Sequence, residues 1–239
     1  MAEVRTREDG ALAEGLPNPP RKKRRPGRLL LVIGILLIAA AVGLGGYVWW
    51  TLWGTGYTTR AAQRDLRPEL EQLIDTKTVE EAPQPAGDGG GPAEETGEPG
   101  PRVARVPGEA IAIIRIPKIE VDIVVVEGTG IEDLKKGPGH YDDTAYPWEE
   151  SGRVGIAGHR TTYGSPFWSL DELAPGDRIV LATEYGIFEY RVTESRIIPP
   201  SDGSVLEQTD GPSLVLTTCH PRFSAAQRLI VFADRIDQA

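Results

Sequence analysis

Residues 29 to 53, LLLVIGILLIAAAVGLGGYVWWTLW, carry no charged side chain, and no other stretch constrains the fold of this chain so strongly. A helix rises about 1.5 Å per residue, so the run is long enough to cross a hydrocarbon core of about 30 Å. Just before it, Arg21, Lys22, Lys23, Arg24, Arg25 and Arg28 place six positive charges on one side. An excess of basic residues marks the cytoplasmic side, which predicts that everything after Trp53 lies outside. Tyr47, Trp49, Trp50 and Trp53 gather at the far end, where aromatic side chains favour the membrane interface. A cleavable signal peptide has a shorter apolar core followed by small residues. Here the run is long and ends in bulky aromatics, which favours a retained anchor.

Residues 1 to 28 carry net charge +4, so the remaining 211 of the 239 residues carry −13. An acidic exported part argues against nucleic acid as a partner. The basic run, read alone, would also suit a nucleic-acid or localisation patch, but its position against the apolar segment favours a role in topology. The chain has one cysteine, Cys219, and so cannot close an intramolecular disulfide. An unpaired cysteine in an oxidising compartment is a reactive thiol, an intermolecular bridge or a buried inert residue.

Four regions follow from composition: a basic segment at 1–28, the span at 29–53, a membrane-proximal part at 54–105 and a β-rich domain at 106–239. In the third, Leu66, Leu70, Leu73 and Ile74 have helical spacing, predicting a short helix within 58 to 76. Pro68 limits that helix to a start or a kink. Residues 80 to 101 are rich in Pro, Gly and Glu and predict a disordered acidic spacer. From Val106 onward the chain shows strand-like runs at 110–117, 121–128, 152–159, 177–183, 186–195, 213–219 and 228–236, with a helical turn or two at 131–136. Seven short strands with few helices between them predict a mainly β barrel or sandwich.

Cys219 ends the run SLVLTTC and is followed by His220 and Pro221. Proline cannot donate to a ladder, so the chain leaves the sheet there and the thiol sits at a strand terminus. Inert cysteines lie more often in mid-strand among apolar neighbours. A thiol needs a histidine or cation nearby to become a useful nucleophile at neutral pH. His220 is adjacent, but neighbouring residues on an extended chain point to opposite faces. His159 ends a second strand-like run, GRVGIAGH, and is the better partner; His140, in GPGHYDDT, reads equally well as a turn-stabilising residue. Acyl transfer also needs a donor for the developing oxyanion. Arg228 opens the last strand nine residues after Cys219, with Arg222 and Arg160 as rivals on spacing.

Taken together, IAGHRTTYGSPF, LVLTTCHP and QRLIVFA resemble the sortase family, the membrane-anchored cysteine transpeptidases of Gram-positive cell surfaces. GHRTTYG and the short interval from cysteine to arginine look most like the class E sortases of high-GC actinobacteria. The resemblance implies a closed eight-stranded β-barrel with short helices, in which Cys219, His159 and Arg228 meet. Cys219 would attack the Thr–Gly bond of a sorting signal and form a thioester. His159 would protonate the departing amine and deprotonate the incoming one, and Arg228 would hold the oxyanion or the substrate backbone. The partners implied are secreted proteins bearing a sorting signal and an amino group of a lipid-linked peptidoglycan precursor, with LAXTG favoured over LPXTG. Tyr141 is assigned to the alanine preference, and Thr218, beside the nucleophile, is grouped with it as substrate-binding.

Two residues depart from the family pattern: His220 stands where relatives often have asparagine, and Phe223 where they often have tyrosine. The pairs Asp142–Asp143 and Glu149–Glu150 read as solvated loop charge, so no cofactor or metal is expected and activity should survive chelation. Other readings stay open. An exported Cys/His peptidase would differ only in releasing the acyl group to water. A non-catalytic anchored β-domain would use its acidic face to recruit partners. A metal module built on Cys219, His220 and His159 lacks the usual ligand spacings.

Overall fold

The computed structural model describes residues 27–80 and 105–236. The basic segment before Gly27 and most of the predicted spacer lie outside the described residues. Two units divide at Gly45. The first contains most of helix α1, Gly27–Trp49, which buries no side chain and is long and apolar enough to cross a membrane. Such a helix fits a membrane anchor or a signal sequence.

The second unit holds a π-helical turn at Trp50–Gly54, helix α2 at Gly56–Glu80 and the β domain. The eight strands are β1 (Ala110–Ile116), β2 (Val121–Glu127), β3 (Gly139–His140), β4 (Arg153–Ala157), β5 (Arg178–Thr183), β6 (Gly186–Ile198), β7 (Ser213–His220) and β8 (Gln227–Ile236). They close a barrel in the order β1-β2-β3-β4-β7-β8-β6-β5. Most pairs are antiparallel; β2 with β3 and β4 with β7 are parallel. Closure removes the open edges that would otherwise invite strand addition. The eighth strand, β3, is two residues long, too short for alternation to show in the sequence. Inside the barrel, Ile114, Ile116, Ile156, Leu181, Tyr190, Leu214, Leu216 and Val231 belong to one buried cluster.

Helix α2 is longer than its sequence suggests and runs through Pro68. An interior proline costs about 3 kcal/mol. The packing of the helix offsets it: Leu70 is buried against Ile113, Val124 and Ala182, with Leu66 and Ile74 partly buried beside it. Burying a leucine contributes about 1.5–3 kcal/mol. Gln63 adds polar anchoring: its amide donates to the carbonyls of Val124 (3.0 Å) and Lys136 (2.9 Å), and its carbonyl accepts from the Val124 N–H (2.7 Å). The helix therefore packs on the outside of the barrel at β1, β2 and β5 as part of the same unit.

Candidate active site

Strand β7 is central to the site because it lies between β4 and β8. Its antiparallel register with β8 sets Cys219 directly opposite Arg228. Residues paired across two strands share a face, so the half-buried thiol and the arginine project to the same side. The Arg228 guanidinium donates to the carbonyls of Ala225 and Gln227, both at 3.1 Å, which holds it over its own loop. On the other flank, parallel β4 pairs Ala157 with Thr217, and the Gly158 N–H continues the ladder to the Thr217 carbonyl (3.0 Å). The ladder ends with that bond, and His159 is the next residue along. Cys219 and Arg228 thus lie on neighbouring strands, and His159 lies in the loop two residues past the end of β4, which stops at Ala157 and not at 159 as the sequence run suggested.

Alternation along β7 separates its polar residues. Thr217 and Cys219 share one face; Thr218 and His220 take the other. On the first face the Tyr141 hydroxyl meets Thr217 Oγ1 at 3.0 Å, so this tyrosine, from the loop after β3, stands two residues along from the thiol. On the second, the buried Thr218 hydroxyl donates to the Gly158 carbonyl (2.7 Å), pinning the backbone next to His159. His220 Nδ1 accepts from Arg160 Nη1 at 2.9 Å, directing its ring to Arg160.

The loop after β4 determines how His159 is presented. Gly158 has no room for a side chain: a Cβ there would fall 2.4 Å from the Phe167 ring. Phe167 is fully buried and its N–H bonds the His159 carbonyl (3.1 Å), closing the loop on itself. His159 Nδ1 lies 3.3 Å from the Thr162 hydroxyl, and the Tyr163 ring packs 4.9 Å from the imidazole. Burial disfavours the charged imidazolium and holds the His159 pKa below its usual value. No hydrogen bond joins this ring to the thiol among the described residues.

Arg160, a rival to Arg228 on spacing, has a different place. It is 2 % exposed, donates to the Cys219 carbonyl (3.3 Å) and His220, and pairs with Asp171 at 2.9 Å. It ties the backbone beside the nucleophile to the short 3-10 helix Leu170–Glu172. Arg222 also bonds Asp171 (3.0 Å) and stacks over Trp168 at 4.7 Å. Both arginines are thus engaged by the acidic Asp171, whereas the Arg228 guanidinium bonds only backbone carbonyls among the described residues. The sequence signal for Arg160 was its adjacency to His159; its burial is a product of tertiary packing. His140 is elsewhere: it is fully buried, with Nδ1 3.1 Å from the Glu127 carboxylate and Nε2 3.0 Å from the Ala145 carbonyl.

A closed mixed barrel brings a half-buried thiol at one strand end, an arginine paired across from it and a histidine in the loop after the flanking strand to one region, the residue types that cysteine acyl transfer uses. Residues 114–236 match the sortase domain family. The chain is 34% identical to Sortase D of Bacillus subtilis over 212 residues, 86% of this chain and 98% of that one. Among solved structures, a Clostridium perfringens sortase D5 transpeptidase superposes with a TM-score of 0.55 at 29% identity, covering 76% of this chain and 99% of that chain. Sortase E1 from Streptomyces coelicolor, with a tripeptide in its active site, superposes at 0.52 with 34% identity, covering 56% and 92%. The chain belongs to the sortase family, cysteine transpeptidases that act on cell wall sorting signals.

Proposed function

We propose that Cys219 is the nucleophile, His159 the acid and base, and Arg228 the oxyanion or substrate-backbone donor of this transpeptidase. The observation that supports the reading is the strand register, which sets Arg228 opposite Cys219, with His159 two residues past the end of the neighbouring β4. His159 takes the Cys219 thiol proton, the thiolate attacks the carbonyl carbon of the signal threonine, and the tetrahedral oxyanion forms within reach of the guanidinium. Collapse to the thioester expels the glycine amine, which takes a proton from His159. An incoming amine then loses a proton to the same ring, attacks the thioester and restores the thiol. Thr218, grouped by the sequence with the substrate-binding residues, is buried and acts instead by fixing the Gly158 carbonyl, and Tyr141 is assigned to the alanine of the signal, two residues before its threonine.

The class E reading rests on GHRTTYG, on the short Cys219-to-Arg228 interval and on the likeness to the Streptomyces sortase E1. It carries a preference for LAXTG over LPXTG and an acceptor amine on a lipid-linked peptidoglycan precursor. It also takes α1 as a retained anchor, with its basic flank in the cytoplasm and the barrel outside. The likeness to Sortase D over nearly that protein's whole length favours a second reading, a class D type specificity. The test is to incubate the full chain in detergent with LAXTG and LPXTG peptides and an amine, and to follow ligated product by mass. The expected result is product from LAXTG in preference to LPXTG and none with Cys219→Ala. Equal turnover of both peptides would refute the class assignment. Activity retained in Cys219→Ala would refute the nucleophile.

A further inference from the structure

A cleft of about 400 Å³ opens between the start of α2, the loop after His159 and the loop after Cys219. Arg60, Thr161, Gly164, Trp168 and Phe223 line it, and the chemistry proposed above uses none of them. Its size suits a small ligand or one end of a larger one. Thr161 is two residues from His159 and Phe223 four from Cys219, so the loops that wall the cleft are the ones that lead from those two residues.

Its walls are held in place. Phe223 is 67% exposed and has φ of 65°, a left-handed backbone that an aromatic residue adopts only at a cost. Its ring meets Trp168 edge to face at 5.8 Å. Trp168 is fixed from behind by Arg222, which stacks on the ring and donates to the Trp168 carbonyl. Arg222 is in turn held by Asp171, which Arg160 also engages. An exposed aromatic pair braced by Arg222, itself held by Asp171, offers a fixed apolar surface of the kind that marks a binding site. Across the cleft, exposed Arg60 stacks on Tyr57 at 5.8 Å and has no acidic partner among the described residues. Arg60 follows Trp53 by seven residues, so the chain itself keeps it within about 25 Å of the end of the apolar run.

Resting on the transpeptidase reading above, we infer that this cleft receives the acceptor. The amine enters beside His159, an anionic group on the same molecule pairs with Arg60, and an apolar or sugar face lies on Trp168 and Phe223. The shared chemistry is an amine that carries a carboxylate or a phosphate, presented near the membrane surface.

The experiment compares matched acceptors with the full chain in detergent at low salt: triglycine against triglycinamide for the carboxylate, and phosphoethanolamine against ethanolamine for the phosphate. Release of the glycine fragment reads thioester formation, and ligated product reads transfer. For at least one pair, the acceptor KM should be 5- to 20-fold lower for the anionic member. Arg60→Gln should abolish that preference, with the change confined to acceptor KM, and Phe223→Gly, which suits the left-handed backbone, should raise KM for both members. The pair that shows the preference identifies the anion. A preference that survives Arg60→Gln, or no preference in either pair, overturns the inference. Binding of the same amines to the full-length Cys219→Ala chain, followed by saturation-transfer NMR, reads the cleft without turnover. The Arg60-dependent preference should appear there even if no thioester forms, and its absence there overturns the inference independently of the transpeptidase reading.

Discussion

His159 is neutral over a wider pH range than a solvated histidine, because burial lowers its pKa below 6.5. Between the folded and unfolded pKa values the unfolded chain binds more protons, so this group's contribution to stability is lost as pH falls from 6.5 through the folded pKa. In catalysis, the acid limb of kcat/KM should lie below the usual imidazole range. Replacing Tyr163, which covers the ring, with asparagine keeps a residue that tolerates its φ of 51° and should move that limb upward. An unmoved limb would mean another group titrates there. His159→Ala should nearly abolish turnover, whereas His220→Ala should retain most of it, since His220 faces Arg160. Single-turnover assays of the two variants separate the roles, and the reverse order would reassign the base. Arg228→Lys should lose at least about tenfold in kcat, because an ammonium cannot reproduce a planar fork of donors; near-normal turnover would reduce Arg228 to a point charge. The places of Cys219, His159 and Arg228 near strand ends were legible because glycines and a proline mark where the chain leaves a sheet. The places of Arg160, Thr218 and Tyr141 were not, since their contacts join positions far apart in the chain.

The elements themselves were legible to within a residue or two in β5 and β7, whereas β6 runs three residues past its predicted end at 195. Helix α2 shows where the reading stopped. Its Leu66, Leu70, Leu73 and Ile74 pattern predicted a helix, yet the pattern does not name the surface that covers it, and Leu73 is left exposed. A signal was present on the other side: AIAIIRI in β1 is buried along both faces at Ile111, Ala112, Ile113 and Ile114, as expected of a strand covered on both sides. Gln63 is the polar part of that contact. Gln63→Leu would leave the Val124 N–H and two carbonyls without their partners, at a cost of about 1–3 kcal/mol. For a domain of this size that is a fall in melting temperature of roughly 2–12 °C, measurable by calorimetry. A variant melting with the native chain would show that water replaces the amide without loss.

At the scale of the molecule, the question is where the catalytic unit begins. Composition put its start at residue 106, after the acidic stretch, because that stretch separates two unlike regions of sequence. The structure puts α2 with the barrel, and its leading end also reaches the active-site loop: the Thr55 hydroxyl accepts from the Tyr163 N–H at 3.0 Å, and Tyr163 covers His159. A chain lacking residues 1–104 would therefore lose more than an anchor. It would expose Ile113, Val124 and Ala182 to water and release one tie on the loop that positions the imidazole. A chain starting at residue 54 keeps both. Compared side by side, the shorter chain should bind more of a hydrophobic dye, melt several degrees lower and show a reduced kcat with its Cys219 still able to react with a small alkylating agent. Equal melting and equal kcat would mean that α2 rests on the barrel without supporting it, and that the catalytic unit begins at β1.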